Sequence, residues 1–152
     1  MGETRQLAEF AAGLRLERCP PAVVMQAKRC LLEALGCALA GSSTPLARVV
    51  AQSSRRQAEG GCATVIGMGF HAAPDRAAFI NGISANALDF DGGIVRQGHY
   101  GPTVISSALA AGELAGVNGC RLLEAVIAGY EVVSRVGLAI RATPQQSRLV
   151  SG

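Results

Sequence analysis

The sequence predicts a mainly α-helical protein, a multi-helix bundle with one small β-hairpin. Apolar residues recur at the spacing of a helix face over several long segments. Aromatic residues make up only 4% of the chain, so small aliphatic side chains must carry the packing, which suits closely spaced helices. One stretch, residues 62–72, instead has strand composition with glycines at its centre. A chain of 152 residues is long enough for one domain with a real core.

Proline, glycine and polar residues divide the helical pattern into six segments: Thr4–Leu14, Ala22–Gly41, Leu46–Ala58, Pro74–Ala87, Pro102–Gly116 and Cys120–Arg141. In the first segment, Phe10 is expected to face the core. The second segment has the clearest stripe, with Val23, Ala34 and Ala38 on one face and Gly41 as a natural C-cap. The fifth segment is apolar on nearly all sides, so we expect it to be largely buried.

The predicted hairpin consists of Cys62–Ile66 and Phe70–Ala72, joined by a turn at Gly67-Met68-Gly69. A phosphate-binding role for these glycines is disfavoured, because no further glycine leads from them into a helix. His71 lies in the second strand, where a structural or solvent-exposed histidine is expected rather than a catalytic one.

Composition and charge exclude several classes of function. The formal net charge of +3 is mild and the arginines are scattered, so no nucleic-acid partner is expected. Five cysteines form no C-x-x-C pair, and Cys30 and Cys37 are expected to pack in the core. The N-terminal residues lack a secretory signal, which predicts a cytoplasmic protein. The longest apolar run, Pro102–Val117, is too short and too interrupted for a bilayer, so no membrane partner is expected.

The loop within Ala85–Pro102, ANALDFDGGIVRQGHYGP, concentrates the chemically useful side chains. It carries Asp89, Asp91, Arg96 and His99 around two adjacent glycines, and such loops between buried elements commonly bind ligands. An imidazole ten residues after a carboxylate can face it only if the loop folds back. The alternative interpretation is a solvated connection between helices, with the two aspartates as helix caps.

Several segments in this order resemble the N-terminal part of the MmgE/PrpD family, which includes 2-methylcitrate dehydratase, cis-aconitate decarboxylase and an iminodisuccinate epimerase. The segments that carry the resemblance are LLEALGCALAG (31–41), GGCATVIGMG (60–69), APDRAAFINGISANALDFD (73–91) and LLEAVIAGYEVVSRVG (122–137). A loop histidine lies between the last two, and the similarity extends over roughly residues 5–141.

The resemblance implies a lyase or isomerase that acts on a small di- or tricarboxylate, by moving a proton next to a carboxylate. It also implies a homodimer that needs neither metal nor cofactor. Family members join a large helical domain to a smaller α+β domain, with the active site between them. Residues 1–152 would then be an incomplete helical domain, with the second domain and its catalytic lysine and histidine absent from this chain. We therefore expect little or no turnover from the chain alone.

Carried onto this sequence, the family motif implies that Asp89 and His99 are catalytic and that Asp91, Gly93 and Arg96 bind substrate. Some members have a threonine where this chain has Gly93, and the histidine is commonly followed by proline rather than by Tyr100. These departures argue against the decarboxylase and against a strict 2-methylcitrate dehydratase, and they leave the substrate unassigned.

The chemistry of these side chains agrees with such roles. His99 is the loop candidate for a base with a pKa near neutral, and Asp89 could orient its imidazole or hold a leaving hydroxyl. Arg96 offers a forked donor set for a carboxylate, although it could equally face solvent. Asp89, Asp91 and His99 could in principle ligate a metal. No metal is expected, because the segment lacks the remaining oxygens of a calcium loop.

Two alternatives remain open at this point. One is a truncated, non-catalytic helical module for dimerisation or interaction, with exposed apolar surface where a partner would pack. The other is an incomplete gene product without a function of its own.

Overall fold

The computed structural model describes residues 2–55, 61–94 and 97–140. These residues contain six α-helices and one antiparallel pair of short strands, which confirms the predicted fold class. The helices are α1 Glu3–Gly13, α2 Pro21–Gly41, α3 Pro45–Arg55, α4 Pro74–Asn86, α5 Gly101–Ala115 and α6 Gly119–Ile140. The strands are β1 Ala63–Val65 and β2 Phe70–Ala72, and a short 3-10 helix covers Leu16–Arg18. The predicted ends of α3 and α6, residues 56–58 and Arg141, lie outside the described residues.

Helix boundaries follow from local chemistry. Proline occupies one of the first two positions of α2, α4 and α5, where its fixed φ suits a helix and its missing N–H costs nothing. Helix α5 ends at Gly116, whose φ of 60° is the left-handed C-cap conformation that glycine adopts without strain.

Helix α4 lies at the centre of the bundle and packs against α2 and α5, while α6 packs against α5 and α2. Small residues line these contacts, and Ala34, Ala38, Ala77 and Ala85 are all buried. Two apolar clusters result. One lies beneath the hairpin around Ile80, and the other lies between α2, α5 and α6.

Gly41 does not have the predicted role of a C-cap. It is the last residue of α2, and the cap position is Ser42 in right-handed helical conformation. A Cβ added to Gly41 would lie 1.9 Å from the carbonyl oxygen of Ser84 in α4. Glycine is therefore required by the close approach of two helices rather than by a left-handed turn.

The hairpin has the predicted strands and turn, with Thr64 paired to His71 in the register. Asn81 of α4 connects the hairpin to that helix. Its side chain accepts a hydrogen bond from the Ile66 N–H and donates one to the Thr64 carbonyl, each at 2.9 Å. The Glu113 carboxylate of α5 accepts hydrogen bonds from the backbone and hydroxyl of Thr64. His71 is exposed, as expected.

Two predicted core positions, Phe10 and Val23, and the C-terminal part of the fifth helix are more exposed than the helical pattern indicated. Helix α1 contributes no buried residue, because it packs mainly on α6, where the Arg135 guanidinium lies 5.7 Å from the centre of the Phe10 ring. Val23 in the first turn of α2 is 39% exposed. The buried residues of α5 end at Ala110, and Leu114 is 63% exposed. Periodicity identifies an apolar face, but the length of the neighbouring helices decides how much of it is covered.

Among the described helices, none has by itself the length and hydropathy needed to cross a bilayer. Helices α2 and α3 meet that requirement only when taken together, and they are bent by 87° at their junction.

Candidate functional site

The loop after α4 folds back on itself, which brings its two ends together. Asp89 adopts a φ of 53°, a left-handed conformation in which aspartate is tolerated better than most residues. Farther along, the Ile94 N–H donates to the Gly98 carbonyl at 2.9 Å and closes a tight turn. The reversal places His99 beside the start of the loop. The loop therefore folds back as it must if the imidazole is to face the carboxylates.

Asp91 is the hydrogen-bond partner of His99. Nδ1 of His99 lies 3.0 Å from a carboxylate oxygen of Asp91 and 3.1 Å from its backbone carbonyl. The other carboxylate oxygen accepts a hydrogen bond from the Asn86 amide at 3.2 Å. The Asp91 side chain is 2% exposed and the imidazole is 51% exposed. A buried carboxylate thus holds an imidazole whose other side is open to solvent.

Asp89 belongs to the same cluster but has a different environment. It is exposed, and one of its carboxylate oxygens lies within 4.8 Å of the ligand atoms that Asp91 and His99 offer. The sequence left open whether Asp89 orients the imidazole. The geometry gives that contact to Asp91, which leaves the Asp89 carboxylate free to face a ligand.

Of the predicted substrate-binding residues Gly93 and Arg96, the structure describes only the first. Gly93 lies against the imidazole, since a Cβ added there would be 3.5 Å from Nε2 and Cδ2 of His99. The position that bears a threonine in some family members is therefore next to the free imidazole nitrogen. Arg96 lies outside the described residues, so its predicted role stays a prediction.

The charges around the loop raise the pKa of His99 above its ordinary value of 6.5. The main cause is the hydrogen bond to the Asp91 side chain, followed by the negative charge of that carboxylate, and Asp89 adds a smaller contribution. Both Asp91 contributions favour the imidazolium form.

A third carboxylate, that of Glu33 in α2, lies close to the loop. Its Oε1 would be 2.8 Å from a Cβ added to Gly92. Burial raises the pKa of the Cys37 thiol, and the charges of Glu33 and Asp91 raise it further. Burial likewise raises the pKa of the Tyr130 phenol, with Cys30, Glu33 and Asp91 adding to the effect. The charges of Glu33 and Asp91 thus both act on these two side chains, although Glu33 is exposed and Asp91 is buried.

Sequence reasoning missed Glu33, Asn86 and Tyr130 as neighbours of the site. Asn86 had a usable signal, because it lies five residues before Asp91 inside the motif that was singled out. Glu33 lies off the apolar stripe of α2, which gives the same pattern as any solvent-facing residue. Only the packing of α2 beneath the loop distinguishes it.

A cleft of about 610 Å³ opens beside His99 between α4 and α5. Its described lining includes the polar side chains of Asp75, Asn86, His99, Thr103 and Ser107. The volume lies within the usual range for small-molecule sites. We refer to it below as the His99 cleft.

Asp89, Asp91 and His99 are also the residues that could hold a metal ion, because each offers one ligand atom within 4.8 Å of the others. Both oxygens of Asp91 already accept hydrogen bonds, and Nδ1 of His99 faces that carboxylate. The geometry is therefore that of a positioned imidazole. The expectation that no metal is needed stays a prediction.

Comparison with known proteins gives a consistent result. The profile of the MmgE/PrpD N-terminal domain matches residues 5–150. A cis-aconitate decarboxylase-like protein, oryM of Aspergillus oryzae, is 29% identical over 95% of this chain and 32% of its own length. The cis-aconitate decarboxylase of Mus musculus is 28% identical over 88% of this chain and 28% of its own. That of Aspergillus terreus is 27% identical over 91% and 30%.

The chain thus spans about a third of the length of the curated relatives it matches. The matched region includes every element described above except the first two residues of α1, together with the Asp89–His99 loop. The chain belongs to the MmgE/PrpD family and corresponds to the N-terminal domain of that family.

Proposed function

We propose that this chain supplies the base of an MmgE/PrpD-type lyase or isomerase, with His99 accepting a proton from the carbon next to a carboxylate of a small di- or tricarboxylate. One observation carries the proposal. The His99 imidazole, held by the buried Asp91 carboxylate at 3.0 Å, is half-exposed and lines a cleft of suitable size.

The contacts of His99 define which nitrogen would react. Nδ1 faces two acceptors, the carbonyl and the carboxylate of Asp91, so in the neutral ring the proton resides on Nδ1. The lone pair is then on Nε2, beside Gly93. When Nε2 takes up a proton, the Asp91 carboxylate stabilises the imidazolium that forms. Asp91 acts here as a positioning residue, and Asp89 is the exposed carboxylate that could hold a leaving hydroxyl.

The described lining of the His99 cleft does not by itself suit a polycarboxylate. It offers the Asn86 amide and the hydroxyls of Thr103 and Ser107, together with the carboxylate of Asp75, but neither arginine nor lysine. A substrate with two or three negative charges requires cationic partners. We therefore propose that they come from Arg96 and from segments that the longer relatives contain, and that the 152-residue chain alone turns over little substrate.

The test is turnover of cis-aconitate, citrate and 2-methylcitrate by this chain and by the longest form that its coding region encodes. We expect activity only from the longer form. There, His99→Gln should lower kcat/KM by about 100-fold or more, the usual contribution of a general base. His71→Gln is the matched control, because His71 is the other histidine of the chain, is exposed in β2, and should be replaceable without loss of activity. Equal activity of both lengths, or full activity of His99→Gln, would refute the proposal.

A specific observation also favours a second function, that of a helical interaction module. Met25, Leu32 and Leu39 lie seven residues apart on one face of α2 and are 51%, 73% and 60% exposed. A row of large apolar side chains in solvent is typical of a surface that a partner covers. A second copy of the chain, in the homodimer expected from the family resemblance, would be one such partner.

Sedimentation tests the interaction module. If the chain is an interaction module, Leu32→Glu with Leu39→Glu should abolish self-association, whereas His99→Gln should not affect it. A chain that is monomeric at all accessible concentrations would argue against the module.

A further inference from the structure

A second cleft, of about 280 Å³, lies between α3 and the turn of the hairpin. Its lining includes Arg48, Gln52, Arg55, Gly67 and Phe70, and none of its described lining residues also lines the His99 cleft. We call it the α3 cleft. Neither the proposed chemistry nor the family motif uses it.

Two cations face this cleft, and neither is paired with a carboxylate of the described residues. Arg48 and Arg55 are seven residues apart on α3, so they project from the same side of the helix, with Gln52 between them. Within the described part of the chain, neither guanidinium forms an ion pair or a side-chain hydrogen bond. The described lining also contains no carboxylate. The cleft is therefore electropositive and rich in unused donors.

Phe70 holds one of these cations in place. The Arg55 guanidinium lies 4.9 Å from the centre of the Phe70 ring. An arginine stacked on an aromatic face keeps its N–H edge available for an anion, because stacking uses the flat face of the guanidinium. The donor edge is thus positioned before any ligand arrives.

The opposite wall is fixed by backbone packing. Gly67 has a φ of 73°, and a Cβ added there would lie 2.3 Å from the Ser42 hydroxyl oxygen. The hydroxyls of Ser42 and Ser43 donate to the carbonyls of Leu39 and Ala40, so they brace the turn between α2 and α3 rather than supplying donors to the cleft. The donors are the two guanidiniums and the Gln52 amide.

We infer that the α3 cleft is a binding site for a small dianion of the phosphate or dicarboxylate class, held by Arg48 and Arg55. Guanidinium forks match both kinds of oxyanion. The volume suits a ligand of a few heavy atoms, since it lies just below the usual range for drug-sized molecules. The inference stands independently of the proposed function of His99.

The experiment titrates the 152-residue chain with inorganic phosphate and, separately, with succinate at constant ionic strength, followed by amide chemical shifts. We expect saturable binding of at least one anion, with the shifts concentrated in residues 42–55 and 67–70. Arg48→Gln with Arg55→Gln should weaken it by about tenfold or more, as loss of charged hydrogen bonds predicts. The anion that binds more tightly identifies the ligand class.

The matched control is Arg18→Gln with Arg29→Gln, which removes the same charge outside both clefts. It should bind like the wild type. An equal loss in the control would show non-specific attraction and overturn the inference, as would shifts concentrated in residues 86–107 or the absence of saturable binding. Arg48→Lys with Arg55→Lys keeps the charge, and it provides a second test in case the glutamine variant misfolds. Weakened binding there shows that the fork geometry is used, whereas undiminished binding overturns the assignment to the guanidinium forks.

Discussion

The crossing of α2 and α4 and the loop that follows α4 are adjacent in space but are built on opposite principles. At the crossing, backbones approach closely over small buried residues, Gly41 and Ala38 on one helix and Ser84 and Ala85 on the other. The loop has little apolar burial and is held by polar contacts of Asp91 and by unusual backbone angles. Damage to the crossing should therefore appear as lost stability, whereas damage to the loop should appear as a changed proton affinity.

The largest loss is expected where a polar side chain serves the scaffold. Asn81→Leu should destabilise the fold by about 2–4 kcal/mol, because it leaves the Ile66 N–H and the Thr64 carbonyl buried without partners. Urea denaturation measures the change. Asn86→Leu is the comparison, since the same residue type on the same helix is exposed and donates one hydrogen bond, to the Asp91 carboxylate of the loop. It should cost about half as much, about 1–2 kcal/mol, because it leaves one acceptor rather than a donor and an acceptor without a partner. Similar losses for both would remove the distinction between scaffold and loop.

Gly41 tests whether the crossing is limited by the space between backbones. Gly41→Ala should cost about 1–3 kcal/mol, because its methyl would overlap the Ser84 carbonyl. Gly36→Ala lies on the same helix with no atom within 4 Å of the added Cβ, so it should stabilise the protein by about 0.5–1 kcal/mol through helix propensity. Thermal unfolding of the pair measures both effects. A stable Gly41→Ala variant would contradict the packing described here.

Asp89 tests the backbone conformation of the loop. Asp89→Val should destabilise by about 1–2 kcal/mol, since a β-branched residue is strained at a φ of 53°. Asp89→Gly should not show this loss, because glycine adopts that angle freely. If valine were tolerated as well as glycine in chemical denaturation, the left-handed conformation would be wrong.

Asp91→Asn is expected to change stability least of these variants. Its main effect should be at the candidate site. It should lower the pKa of His99, because it removes the carboxylate that favours the imidazolium. NMR titration of the histidine ring protons measures the change, and His71, the second histidine, is the internal reference.

The sign of the pH effect on stability follows from the raised pKa of His99. The stabilisation of the fold by protonated His99 is fully present below pH 6.5, the ordinary pKa of histidine. It is lost as pH rises through the higher pKa that His99 has in the folded state. The stability difference between wild type and Asp91→Asn should thus be larger at acidic than at alkaline pH, by less than about 1 kcal/mol because the imidazole is half-exposed. A difference that grows toward alkaline pH would contradict the assignment.

The sequence was informative wherever a pattern is local. Strand composition and two glycines were enough to predict the hairpin, and the charged loop between apolar helices was enough to single out the candidate site. Gly41 shows the limit. A glycine at the end of a helix predicts a left-handed cap, and nothing nearby in sequence indicates that Ser84 approaches it.

The roles of the two loop aspartates show the same limit at the site. Spacing alone made Asp89 and Asp91 equivalent neighbours of His99. The backbone reversal between them buries Asp91 and exposes Asp89, so only one forms the hydrogen bond. Glu33 is exposed, as its place off the apolar stripe indicated, and only the structure shows that its carboxylate lies beside Gly92 of the loop.

By itself, the amino-acid sequence determined the helical class, the hairpin and the family, and it singled out the segment of the candidate site, because periodicity, turn residues and motifs act over a few neighbouring positions. Tertiary structure alone decided which carboxylate holds the imidazole, which glycine separates two helices, and which arginines line a second cleft. Those outcomes depend on distances between residues far apart in the chain, and such distances are set only when the apolar faces of several helices are buried together.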